Sequence, residues 1–69
     1  MTYLITYFTQ GGNFAETVEF QKEDLAKTYA EKEAILLGSI RHTVKKTTAP
    51  SGRLMKWDNI KGEYEILNG

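Results

Sequence analysis

Apolar side chains fall at two different periods along this chain. Over residues 23–38 (EDLAKTYAEKEAILLG), Leu25, Ala26, Tyr29, Ala30, Leu36 and Leu37 recur every three or four positions, which gathers them on one side of a helix, with Glu33 the one polar interruption. That side is expected to be buried, Tyr29 and Leu36 at its centre and Ala34 toward its edge. Glu23 and Asp24 suit the positive end of the helix dipole, Glu23/Lys27 and Lys27/Glu31 are i,i+4 pairs, and Gly38 can take the left-handed conformation that ends helices. Neither Gln21 nor Lys22 is a good N-cap.

Elsewhere the period is two. Residues 3–9 form a β-branched and aromatic run, and residues 14–20 set Phe14, Val18 and Phe20 against Ala15, Thr17 and Glu19. The glycines of Gln10-Gly11-Gly12-Asn13 make the two runs an antiparallel hairpin. After the helix, residues 39–47 place Ile40, His42 and Val44 on one face, with Ile40 and Val44 turned toward the helix, and Arg41, Thr43 and Lys45 on the other. The lone proline, Pro50, lies in a turn-rich break. Residues 53–58 and 63–67 then read as two strands about a tight turn at 59–62. The fold class predicted is α+β, ββαβββ: a single domain, residues 1–69, with one antiparallel sheet in the order 2-1-3-4-5 and one helix packed on one face. The other face is left open.

Size and composition limit the choices. A chain of 69 residues buries roughly 60% of its unfolded surface, for a stability on the order of a few kcal/mol. It has no cysteine, so no disulfide or thiolate site strengthens it. With no signal-peptide pattern after Met1 and no long apolar run, the expectation is a soluble protein of the cytoplasm with no membrane contact. The formal net charge is zero, yet the distribution is uneven. Residues 41–61 carry Arg41, Lys45, Lys46, Arg53, Lys56 and Lys61 against Asp58 alone. Solvated strand faces account for such a distribution, and so does contact with a polyanion or an acidic protein.

Candidate chemistry is sparse. His42 is the only histidine and reads as a structural imidazole at the sheet–helix boundary. No serine has a base partner in the pattern, and Gly11-Gly12 lacks the lysine and following helix of a phosphate loop. The expectation is therefore no catalysis, no cofactor and no metal. Eight aromatic residues are many for one small core, and Trp57 is placed in that core. Because residues 3–8 are apolar on both faces, one set of their side chains is expected on the open face beside Arg41, Lys45 and Lys56. Such a surface suits stacked bases or a protein interface.

Residues 19–40 (EFQKEDLAKTYAEKEAILLGSI) resemble the helix and following strand of small phage-encoded anti-CRISPR proteins, the group named ninth among the type I-F inhibitors. The likeness lies in the spacing of Ala26, Lys27, Ala30, Lys32, Glu33, Gly38, Ser39 and Ile40, with a leading hairpin, Gly52-Arg53-Leu54 opening a strand, and a glycine turn at Gly62. This chain has Thr28 and Ala34 where the family has a basic and a polar residue, and a longer loop around 48–51. The resemblance implies a non-enzymatic inhibitor that binds a CRISPR surveillance complex of the host and blocks pairing of target DNA with the guide. It implies that Lys27 and Lys32 lie at the interface, and the charge distribution adds Arg41, Lys45 and Lys56. Two other classes stay open: a phage modulator of another host protein, and a nucleic-acid-binding module using Tyr3, Tyr7, Arg41 and Lys45.

Overall fold

The β-branched and aromatic run at the start of the chain forms β1 (Thr2–Thr9), and a hairpin turn through Gln10 and Gly11 leads into β2 (Gly12–Glu19). Gly12, at φ 132°, takes a backbone conformation closed to most side chains, and the Thr9 hydroxyl donates to its carbonyl at 2.6 Å. The computed structural model describes residues 1–68, and continues with α1 (Glu23–Leu37), β3 (Arg41–Thr47), β4 (Leu54–Asp58) and β5 (Glu63–Asn68). All strand pairs are antiparallel. The architecture is the α+β sheet with one helix that the hydrophobic pattern predicts.

The strand order is β3-β1-β2-β4-β5. β1 lies between β2 and β3, and β4 pairs with β5, as in the order 2-1-3-4-5; the difference is that the β4–β5 hairpin joins the sheet beside β2 instead of β3. Chain reach permits this. The connection 48–53 must cross about 14 Å, three strand spacings, and six extended residues span up to about 20 Å. Thr17 then holds the connection. Its hydroxyl donates to the Pro50 carbonyl at 2.7 Å and accepts the Arg53 N–H at 3.1 Å, while its backbone pairs with Gly52 and Arg53. Thr17 is thereby almost wholly buried with every polar atom satisfied.

The core lies between α1 and the β1 end of the sheet. Tyr3, Ile5 and Tyr7 of β1 are buried, and Ile5, Tyr7, Ala30 and Ala34 form a cluster against which Phe14, Val18, Tyr29 and Val44 pack. Large side chains come from the sheet and small ones from the helix: the buried helix residues are Ala26, Ala30 and Ala34. This corrects the expected helix face. Leu36 is 79% exposed, Leu25 and Leu37 are exposed as well, and Ala34 is inside. Two tyrosines on β1 already occupy the space that leucines would need, so the helix approaches on its methyl groups. Replacing Ala30 by Leu is therefore expected to overpack the contact and cost about 1–3 kcal/mol in a urea melt. An unchanged midpoint would show that space remains beside Ala30.

The helix ends as predicted. Gly38 adopts φ 69°, its N–H bonds to the Ile35 carbonyl, and the Ser39 N–H bonds to the Ala34 carbonyl at 2.8 Å, closing the last turn. The Ile40 N–H then meets the Phe8 carbonyl at 2.8 Å and starts the chain back along β1. Ile40 itself precedes β3 and is 75% exposed, so Val44 alone of the expected pair faces the helix. At the start of α1, Lys22 makes no side-chain cap, as its residue type implies.

Candidate functional site

Two exposed surfaces carry the candidate binding residues, one on the helix and one on the sheet. On α1, the residues turned away from Ala26, Ala30 and Ala34 are Leu25, Thr28, Lys32, Ile35 and Leu36, by the 3.6-residue repeat. Leu25 is 49% exposed and Ile35 81%, so with Leu36 and the following Ile40 they make an apolar surface around one lysine. Lys27 lies elsewhere. It is about 140° from Lys32 round the axis, and its ammonium sits 4.0 Å from Glu23, a loose exposed pair. The two helix lysines therefore cannot both lie at the centre of one contact face.

The second surface is the face of the sheet that α1 does not cover. Directly opposed residues of antiparallel strands point to the same side, so the register sets out its rows. Phe8 stands opposite Arg41 on one side and Asn13 on the other. Continuing the β2–β4 ladder one step past Phe14 and Lys56 brings Trp57 beside Asn13, and Trp57 opposes Tyr64. The next row is Thr43, Thr6, Ala15, Met55 and Ile66, and a third begins with Lys45 and Leu4. The Arg41 guanidinium lies 4.3 Å from the centre of the Phe8 ring. Trp57 and Tyr64 meet edge to face at 5.1 Å. Among the described strand residues, the only carboxylate on this face is Glu19, at the opposite end, held by the Thr2 hydroxyl at 2.9 Å and the amino group of Met1 at 2.7 Å. Those donors keep its carboxyl below the usual carboxylate range.

The five lysines and arginines singled out in the sequence thus divide. Arg41 and Lys45 share the open face of β3; Lys32 is on the outer side of α1; Lys27 is on its flank. Lys56 points the other way from Arg41, to the helix side of the sheet, with its ammonium 5.9 Å from the Phe14 ring. Tyr3 and Tyr7, at 2% and 1% exposure, belong to the core and not to any base-stacking face. Trp57 is the converse: expected in the core, it is half-buried on the open face, because β4 attaches beyond the helix's reach. Phe8, Asn13 and Tyr64 join Trp57 there. Their only sequence signal is position in two hairpins, which becomes a row once the hairpins' relative register is known.

Beneath the helix, Glu16 accepts hydrogen bonds from the Tyr7 and Tyr29 hydroxyls, each at 2.7 Å, and so ties α1 to the sheet. Phe20 packs on Tyr29 with ring centres 5.4 Å apart. Burial, then the bond to the Glu16 carboxylate, pushes both phenols well above the ordinary tyrosine range. His42 stands opposite Tyr7, half-buried on the helix side, the place its flanking residues indicate. Two clefts open near the start of β1, lined by Met1, Thr2, Lys46, Thr47 and Thr48 and by Met1, Tyr3, Gln21, Lys22, Glu23 and Lys46. Among the described residues, no group of three His, Cys, Asp or Glu side chains is placed to hold a metal ion, and no helix is long and apolar enough to cross a membrane. No family model matches the chain, and no curated protein or solved structure is significantly similar to it.

Proposed function

We propose that the protein is a non-catalytic inhibitor that docks on a host CRISPR surveillance complex and blocks pairing of target DNA with the guide. The observation that carries this is the outer side of α1, where Lys32 is surrounded by the exposed Leu25, Ile35 and Leu36. A helix in a small domain ordinarily turns its leucines inward. Here alanines do the packing and the larger residues face outward, leaving an exposed apolar patch of the kind that marks an interaction site. The resemblance of residues 19–40 to the type I-F inhibitors bears on the same helix. In this reading Lys32 lies at the centre of the contact, Lys27 at its rim, and Arg41 and Lys45 face the nucleic-acid side of the channel.

The test is inhibition of target-DNA binding by a type I-F surveillance complex. The unmodified protein is expected to inhibit, and Lys32→Glu combined with Leu36→Ser to weaken inhibition at least tenfold by removing both the cation and an apolar contact. Both positions are exposed, so the melt stays within about 1 kcal/mol. Lys27→Glu, at the rim, has a smaller effect. Full inhibition by the double variant moves the contact off the helix, and no inhibition by the parent removes that complex as the partner.

A further inference from the structure

The open face of the sheet has its own chemistry, distinct from that of the helix, and we infer that it binds single-stranded nucleic acid, with bases stacked along the row Arg41, Phe8, Asn13, Trp57 and Tyr64. The row is set by register: Phe8 pairs with Arg41 and Asn13, Trp57 with Tyr64, and the β2–β4 ladder brings the two halves level. Phe8 and Trp57 stand two strands apart, about 10 Å, so each ring can carry a separate base. The Arg41 guanidinium carbon already lies 4.3 Å from the centre of the Phe8 ring, and a guanidinium plane stacks a base as an aromatic ring does. Asn13, between the rings, offers an amide with both donor and acceptor to a base edge. The row below, Thr43, Thr6, Ala15 and Met55, has its centre closed, Thr6 and Ala15 being buried, so the accessible part of the face is the row that ends in Arg41 and Tyr64.

Charge selects the occupant. Arg41 and Lys45 lie about 13 Å apart along the edge strand, placed to follow a phosphate backbone across the end of the row. Among the described strand residues, the one carboxylate on the face, Glu19, is at the far end and already taken up by Met1 and Thr2. Phosphates complement these cations, whereas a second copy of the chain offers from the described strand residues of this face only Glu19, already held by Thr2 and Met1. A duplex hides its base faces, so a stacking row of this kind takes single strands. Tyr3 and Tyr7 take no part, being under the helix.

The experiment uses the full chain alone, with no surveillance complex, so its outcome is separate from that of the docking on α1. Fluorescein-labelled oligo(dT) and oligo(U) 12-mers and a 12-base-pair duplex are titrated by anisotropy at two salt concentrations, and unlabelled strands are titrated against the emission of Trp57, the only tryptophan. Expected are quenching of Trp57, affinity for single strands at least tenfold above that for duplex, and a salt slope near −1.4 for two contacted phosphates at about 0.7 each. Preference for dT or for U identifies DNA or RNA as the source and supports the face in either case. Arg41→Gln with Lys45→Gln, both exposed, is expected to weaken binding at least tenfold and flatten the salt slope, while Lys56→Gln, on the other side of the sheet, stays within about twofold. Tyr64→Ala, at the sheet's edge, is expected to weaken binding about fivefold or more if a base stacks there. Three results would overturn the inference: no single-strand binding at the lower salt, duplex bound as tightly, or binding that leaves Trp57 emission and the Arg41/Lys45 variant unaffected.

Discussion

Replacing Ile5 by alanine is expected to unfold most of the protein, while Leu36→Ala leaves its melt within about 1 kcal/mol. Ile5 has no exposed surface, lies on β1 between β2 and β3, opposite Glu16 and Val44, and belongs to the cluster formed with Tyr7, Ala30 and Ala34. Loss of a buried isoleucine side chain of this kind costs about 2–5 kcal/mol, through the transfer energy of the removed methyl groups and the cavity left behind. A domain of this size holds only about 3–5 kcal/mol in total. Leu36, although a large apolar side chain, projects into solvent. Chemical denaturation followed by circular dichroism tests the pair, and equal losses at the two sites would place Leu36 in the core and contradict the packing described above.

Alkali is expected to be the second strong perturbation. The Tyr7 and Tyr29 hydroxyls donate to one carboxylate, Glu16, and the fold raises both phenols above their ordinary range by burial first and by that hydrogen bond second. In the unfolded chain each phenol loses its proton near pH 10; in the fold both keep it to higher pH. Above pH 10 the unfolded state therefore binds fewer protons, and stability falls as pH rises, by up to about 1.4 kcal/mol per pH unit for each phenol. The contribution is fully present below pH 10 and lost as pH rises above it. Thermal melts between pH 8 and 12 check this, with Tyr7→Phe expected to halve the alkaline slope while lowering the midpoint at pH 7, since one partner of Glu16 is gone. A flat midpoint up to pH 11.5 would mean that the two hydroxyls are not held as described.

What the chain determined by itself is local. The period-two runs, Gly38 at the end of the helix and the Asp58 turn, where the Asp58 carboxylate accepts the Ile60 and Lys61 N–H groups at 2.8 and 3.1 Å, depend on neighbours within a few positions. Those features yielded five strands, one helix and an α+β sheet. The basic residues of the second half were equally legible, because charge needs no fold to be counted.

Tertiary structure decided which sides meet. Hydrophobicity alone ranks Leu36 above Ala34, yet the space between helix and sheet was already taken by Tyr3, Tyr7 and Tyr29, so small residues went in and large ones out. Likewise the side of the sheet on which the last hairpin docks is chosen by residues 33 or more positions apart, Thr17 holding Pro50 and Arg53, a pairing with no local pattern. That choice moved Trp57 from an expected core to an open face, separated Lys56 from Arg41 and Lys45, and brought Phe8, Asn13, Trp57 and Tyr64 into line. Period and charge are properties of neighbours along the chain; register between distant strands, and the volume left for each side chain, exist only once the chain has closed on itself.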